Sequence, residues 1–160
     1  MNRLLGSGMI ILALVIYLYE ERHRINQHNQ MIADSLAAVE SMETAVRWEK
    51  STLPDTIQEQ GHRKYIGEYF QEICMQLQNG IPLQEAWETV LSRIKPARIS
   101  QILCVISLSG DSVALKQQFS CAFDEIKTFQ AQERERQAAE QKLKRATAIS
   151  AAAVLIILLL

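Results

Sequence analysis

Residues 4–19 read LLGSGMIILALVIYLY and residues 146–160 read ATAISAAAVLIILLL, two apolar runs without a charged side chain. Residues 20–145 between them hold 34 of the 35 charged side chains. At about 1.5 Å per residue the runs span roughly 22–24 Å, and flanking Arg and Lys side chains can reach the headgroups of a ~30 Å hydrocarbon core. The pattern predicts an N-terminal transmembrane anchor over residues 1–19, a central domain over 20–145 and a C-terminal transmembrane segment over 146–160.

The alternatives at the two ends are a cleaved signal peptide and a buried core helix. The residues after the first run, YEERHR, lack the small-x-small pattern of a cleavage site, which favours an uncleaved anchor. The final LIILLL carries no cap and no charge, and a domain of this size has little core in which to bury it. Membrane segments are therefore the favoured interpretation at both ends.

The cations beside the runs predict how the chain is oriented. Arg3 and the α-amine lie on the outer side of the first run, whereas the domain side of the two runs carries Arg22, Arg24, Lys142, Lys144 and Arg145. The positive-inside rule then predicts a cytoplasmic central domain with both termini outside. Cysteines are reduced in that compartment, and the apolar helical stretches around Cys74, Cys104 and Cys121 predict that these are small core residues.

Composition and motifs exclude several classes of function. With 17 basic and 18 acidic residues the formal charge is −1, which excludes a strongly basic protein whose affinity for nucleic acid rests on many phosphate contacts. Three cysteines without a CxxC pair do not indicate a zinc ribbon or a disulfide framework. The sequence contains no HExxH, GxxxxGK[ST], GxSxG or GxGxxG motif. We therefore expect no enzyme activity and no cofactor or metal.

The central domain is predicted to be all-α, a bundle of about six helices, because apolar residues recur every three or four positions and no alternating run is present. The predicted helices cover residues 25–46, 54–60, about 63–78, 83 to the Lys95-Pro96 pair, the region of 99–106, and a last helix capped by Asp111 or Ser112. Thr52 is the predicted cap of the second helix. The last helix carries a clear apolar seam: Leu115, Phe119, Ala122, Ile126 and Phe129.

Polar helical stretches adjoin both runs. Residues 130–145 lack Gly and Pro and consist of strong helix formers, and residues 20–30 are similarly polar. Together they predict an antiparallel neck that holds the bundle away from the bilayer.

Two local features are candidate contact points. The first helix carries a predicted apolar seam of Ile25, Ile32, Leu36, Val39 and Val46. Glu43 continues that seam, where a carboxylate left unpaired would cost several kcal/mol. We expect an Arg or Lys partner on a neighbouring helix, with a contact to another protein as the alternative. In Asn79-Gly80-Ile81-Pro82-Leu83, Gly80 is the predicted left-handed residue that ends one helix before the next begins. Trp87, just beyond, is predicted to be a core residue rather than a contact.

Several segments resemble one family along essentially the whole chain. SMETAV (41–46), followed by STLPDTI (51–57), is similar to the LETEI…TPLPEAL stretch of stage III sporulation protein AB. NGIPLQEAW (79–87) resembles the Gly-x-Pro-Leu-x-Glu-Ala segment that this family shares with the inner-membrane platform protein of type II secretion systems. LSGDS (108–112) approximates a third element of the family, and the two terminal anchors match its layout.

The resemblance implies a non-enzymatic membrane platform in a sporulation-specific secretion-like channel, in the mother-cell membrane around the engulfed forespore. The implied partners are a secretion-type ATPase (stage III sporulation protein AA), other sporulation channel membrane proteins and the lipid bilayer. We expect the partner interface to include Glu43, Asn79, Gly80, Pro82 and Leu83. The alternative is a membrane-tethered helical adaptor or signalling protein whose neck transmits motion between membrane and bundle.

Overall fold

The computed structural model describes residues 2–48, 52–109 and 111–159; the side chains of residues 2–11, 14, 145, 149, 152, 153 and 155–159 lie outside that description. Over the described ranges the chain forms six helices and no strand, which confirms the all-α prediction. The helices are α1 (Asn2–Trp48), α2 (Leu53–Gln60), α3 (Gly67–Gln78), α4 (Leu83–Leu91), α5 (Ala97–Cys104) and α6 (Ser112–Leu159). Two compact units result, a larger one of Gln27–Gln130 and a smaller one that combines Met1–Asn26 with Ala131–Leu160.

The first helix contributes one completely buried stripe to the core of the larger unit: Ile32, Ser35, Val39 and Met42. Spacings of three and four residues place these side chains on one face of α1. The predicted seam shared Ile32 and Val39 with this stripe but passed through Leu36 instead of Ser35 and through position 43 instead of Met42. Ser35 can occupy the core because its hydroxyl donates a hydrogen bond of 2.8 Å to the Met31 carbonyl, which satisfies the buried polar group.

The second helix starts at the predicted cap but with a different hydrogen bond. Thr52 occupies the N-cap position with extended backbone, and Pro54 lies in the first turn. The Thr52 hydroxyl donates to Asp55 Oδ2 at 2.5 Å instead of accepting from a backbone N–H. The Thr52 carbonyl accepts the first helical bond, from Thr56 N at 3.1 Å.

Residues 61–66 form a turn instead of the predicted first turn of α3, which begins at Gly67. A Cβ on Gly67 would lie 2.6 Å from the Gly61 carbonyl oxygen, so glycine permits this close approach of two backbone segments. Arg63 donates from Nη2 to the Ala37 carbonyl at 2.9 Å and from Nε to Gln60 Oε1 at 2.6 Å. These two bonds of Arg63 attach the turn to α1 and α2. Helix α3 begins four residues beyond Arg63, at Gly67.

Trp87 is a core residue, as predicted. Its side chain is fully buried, its Nε1 donates to the Leu103 carbonyl at 2.9 Å, and its ring centroid lies 6.1 Å from that of Phe70. These contacts join α4 to α5 and α3. The α4 helix itself ends at Leu91, earlier than predicted, before the chain reaches the cis Lys95–Pro96 peptide.

The last helix confirms one of its two predicted caps and most of its seam. Asp111 Oδ1 accepts from Ala114 N at 2.8 Å, so Asp111 is the cap. Four of the five predicted seam residues are buried and Phe129 packs against them. The prediction for Cys121 was wrong: it is exposed, because it lies about 100° around α6 from the buried Ala122. Cys74 and Cys104 are only half-buried at the edge of the core.

The smaller unit contains the polar stretch 131–145, which is helical as predicted. There Lys144 Nζ donates to Glu21 Oε1 in an ion pair that joins α6 to α1. Among the residues that the structure describes, no helical stretch is both long and apolar enough to cross a membrane. Many side chains of residues 4–19 and 146–160 lie outside the description, so the two membrane segments and the neck stay predictions.

Candidate protein-interaction surface

The turn between α3 and α4 adopts the geometry predicted for Gly80. Its φ is +82°, in the left-handed region, and the Gly80 and Ile81 amides donate to the carbonyls of Leu77 and Gln76 at 3.0 and 3.1 Å. These two bonds form a Schellman motif, in which the last free carbonyls of a helix are satisfied by the residues that leave it. The turn is consequently fixed by its own backbone.

Three of the predicted interface residues are exposed in this turn: Asn79, Gly80 and Pro82. Leu83, the first residue of α4, is half-buried and packs against the core together with Ile81. The turn thus presents a small, rigid surface whose apolar neighbours are anchored in the bundle. Such a surface can bind a partner with little loss of conformational entropy, because its backbone is already ordered.

Gln84 connects this turn to the linker between α5 and α6, a role that the sequence analysis missed. Its Oε1 accepts from Leu108 N at 2.7 Å, and its Nε2 donates to Glu88 Oε1 at 2.6 Å. From the other side, Gln118 Oε1 of α6 accepts from Ser107 N at 2.6 Å. Two glutamine side chains therefore hold the 105–109 linker in place beside the turn.

A groove of about 420 Å³ lies on the α6 side of the same linker, between α5 and α6. Ile102 and Ile106 contribute to its apolar lining, and Val105 is 82% exposed at its edge. Arg98 and Glu125 line it as well and face each other at 3.5 Å, each with more than half of its side chain in solvent. The 105–109 linker therefore contributes Val105 and Ile106 to the groove and is bonded through Leu108 to Gln84, next to the turn.

Glu43 belongs to a different part of the bundle. Its Oε1 accepts from Arg47 Nη2 at 2.6 Å, and its side chain is 13% exposed. The expected basic partner exists, but it is four residues along the same helix rather than on a neighbouring one. The Met42 side chain occupies the core position that we expected for Glu43, so Glu43 lies at the edge of the stripe. The hydrogen bond of Glu43 stays within α1, whereas that of Gln84, beside the 79–83 turn, joins the 105–109 linker. These bonds therefore do not connect Glu43 to the other predicted interface residues.

Two of the three cysteines have thiols whose pKa is changed by burial. Burial raises the pKa of the Cys74 thiol and of the Cys104 thiol above their usual range, which lowers their thiolate fraction at neutral pH. Within residues 2–48, 52–109 and 111–159, no three His, Cys, Asp or Glu side chains are grouped so that they could hold a metal ion.

A comparison with protein families gives one match. The family model described as Stage III sporulation protein AB matches residues 3–160. No curated protein and no solved structure matches the chain significantly.

Proposed function

The chain belongs to the stage III sporulation protein AB family, and from that premise we propose that it is a non-enzymatic membrane platform of a sporulation-specific, secretion-like channel. In this role the bundle couples a cytoplasmic secretion-type ATPase, stage III sporulation protein AA, to the other membrane proteins of the channel. The membrane concerned is the mother-cell membrane around the engulfed forespore. Family membership supports a role in sporulation, and the distribution of charge and the 79–83 turn support the remaining elements of the proposal.

The membrane arrangement is supported by the distribution of charge along the sequence. Both apolar runs lack charged residues, and five cations flank them on the side of the bundle. Under the positive-inside rule this predicts two membrane segments with the bundle in the cytoplasm. A cytoplasmic ATPase could then reach the bundle directly.

The observation that carries the partner role is the exposed, pre-ordered turn of residues 79–83. Three of its residues face solvent although its backbone is fixed by two helix-terminating bonds and its apolar residues by the core. A turn with this combination suits recognition better than a mobile loop, because binding would order few additional groups. We propose that the ATPase or another channel protein contacts this turn.

A co-purification experiment tests the partner role. The affinity-tagged full chain is purified from detergent with the candidate ATPase, as wild type, as Asn79→Arg and as Gln58→Arg, which places the same charge on an exposed position of α2. We expect wild type and Gln58→Arg to retain the ATPase and Asn79→Arg to lose most of it. Equal retention by all three would contradict the turn as the interface, and no retention by wild type would contradict ATPase coupling. Deletion of the protein should block sporulation after engulfment.

A labelling experiment tests the orientation. An added cysteine within residues 130–145, in a Cys121→Ser background because Cys121 is itself exposed, should react with a membrane-impermeant reagent only in opened cells. Reaction in intact cells would place the bundle outside and exclude coupling to a cytoplasmic ATPase.

The adaptor remains the second candidate, and the length of two helices favours it. Helices α1 and α6, of 47 and 48 residues, each supply residues to both compact units without a break. A continuous helix can transmit a shift or rotation along its axis. An adaptor should change the spacing between labels in its bundle when a stimulus acts at the membrane side, whereas a platform should not.

A further inference from the structure

Three further cations lie at about the same height along α1 and α6 as the ion pair between Glu21 and Lys144 in the smaller unit. Arg22 and Arg24 follow Glu21 on α1, and Lys142 precedes Lys144 on α6. At about 1.5 Å per residue, each of these three cations lies within roughly 5 Å, along its helix axis, of a residue in the ion pair. All three are exposed. We call these residues, Arg22, Arg24 and Lys142, the basic cluster.

The acidic residues nearby are mostly paired already. Glu21 is 12% exposed and binds Lys144, and that hydrogen bond raises the pKa of Lys144 and keeps it protonated. Glu140 accepts from Arg136 Nε at 3.0 Å. Within residues 20–24 and 140–144, the one other carboxylate is that of Glu20, compared with three cations in the basic cluster. The region therefore offers net positive charge to an external anion.

The surroundings of the basic cluster point to a lipid surface rather than to a nucleic acid. Tyr17 and Tyr19, 62% and 73% exposed, precede Arg22 by five and three residues. The first apolar run ends at Tyr19, and the second begins at Ala146, four residues after Lys142. Exposed tyrosines next to cations and an apolar helix are typical of the headgroup level of a membrane. Three cations are also too few for tight nucleic-acid binding at physiological salt, since that affinity scales with the number of phosphates neutralised.

We propose that the basic cluster binds the phosphate groups of anionic phospholipids and gives the protein a preference for anionic lipid. The proposal rests on the membrane anchoring put forward above and adds the class of lipid. The ion pair holds the two helices together at this level, so cations from both can contact the same headgroup layer. Each basic residue at an anionic surface contributes about fivefold in affinity (about 1 kcal/mol), so the three together should give well over tenfold.

The test uses the full chain in neutral detergent, titrated with short-chain phosphatidylglycerol and, separately, with short-chain phosphatidylcholine. We expect wild type to bind phosphatidylglycerol more tightly by about tenfold or more, and added salt to weaken this preference through screening. The variant Arg22→Gln/Arg24→Gln/Lys142→Gln should lose the preference. The control Lys116→Gln/Lys127→Gln/Arg134→Gln removes the same charge from exposed positions elsewhere and should keep it.

The outcomes separate this inference from the function on which it rests. Wild type should first float with phosphatidylcholine vesicles in high salt; failure to float would overturn the anchoring and the lipid site together. Floating without any preference for phosphatidylglycerol would overturn the lipid site alone. Equal loss in the control variant would mean that net charge, not the basic cluster, sets the preference. Competition by inorganic phosphate at the same concentration would indicate a site for free phosphate and would also overturn the proposal.

Discussion

Replacement of Gly80 tests whether the left-handed turn, and with it the candidate surface, is held by backbone conformation. The φ of Gly80 is +82°, and a Cβ built on it would meet nothing within 4 Å. A substitution here therefore produces no clash, and its entire cost comes from the left-handed conformation. An L-residue pays about 1–2 kcal/mol for that conformation, a β-branched one the most, and asparagine the least.

The expected order of stability is wild type, then Gly80→Asn, Gly80→Ala and Gly80→Val, the last about 2 kcal/mol below wild type. For a chain of this size that corresponds to a fall in Tm of roughly 4–8 °C. Thermal unfolding of the full chain in detergent, followed by far-UV circular dichroism, measures the order. Gly67→Ala is the contrasting control, because there a clash of 2.6 Å with backbone, and not a positive φ, opposes the Cβ. If Gly80→Val melted like wild type, or Gly80→Asn fell as far as Gly80→Val, the reasoning would be refuted.

Three further measurements probe the core, the linker and the thiols. Trp87→Phe removes the side-chain donor to the Leu103 carbonyl inside the core and should lower the free energy of unfolding, measured by urea titration, by about 1–3 kcal/mol. An unchanged unfolding midpoint would show that this bond does not stabilise the bundle. Gln118→Ala should speed amide hydrogen exchange at Ser107, its 2.6 Å partner, more than elsewhere in the bundle, and uniform change would argue against a local clamp. Cys121 should be alkylated first at neutral pH. The other two thiols, whose pKa burial raises, should react as fast only at alkaline pH, and equal rates at pH 7 would contradict this.

Features that depend on a few neighbouring residues could be predicted from the sequence. The Gly80 turn is one: a glycine after a helical stretch and before a proline satisfies the rule for a helix end, and the structure has the corresponding bonds. Asp111 is another, since its carboxylate needs only the amide of Ala114, three residues on. Trp87 follows from its place on an apolar stripe. For Gly80 and Asp111 the interaction that fixes the structure lies within one or two helical turns, whereas the partners of Trp87, Phe70 and Leu103, belong to other helices.

The predicted register of the buried stripe on α1 was wrong where two neighbouring positions could each have entered the core. On α1, an apolar stripe with a repeat near seven residues can pass through 35 and 42 or through 36 and 43, and hydrophobicity alone favours Leu36 over Ser35. The serine enters because its hydroxyl can bond the preceding turn, which removes most of the penalty for burying it. That choice also moved Glu43 from the core to its edge, where Arg47 of the same helix suffices as a partner.

The 105–109 linker beside the candidate surface is held by contacts of a kind that a single sequence does not reveal. The Gln84–Leu108 bond spans 24 residues and the Gln118–Ser107 bond spans 11, and a glutamine on a helix surface carries no local signal that it will bind a distant backbone amide. Yet these two side chains hold the linker, whose residues Val105 and Ile106 also line the groove between α5 and α6. Leu108, which is bonded to Gln84, and Val105, which lines the groove, both belong to the 105–109 linker. A partner that displaced the linker at the turn would therefore break the Gln84 bond and also move Val105. We therefore expect binding at the 79–83 turn to change the shape of the groove between α5 and α6 as well, although the two surfaces come from separate stretches of sequence.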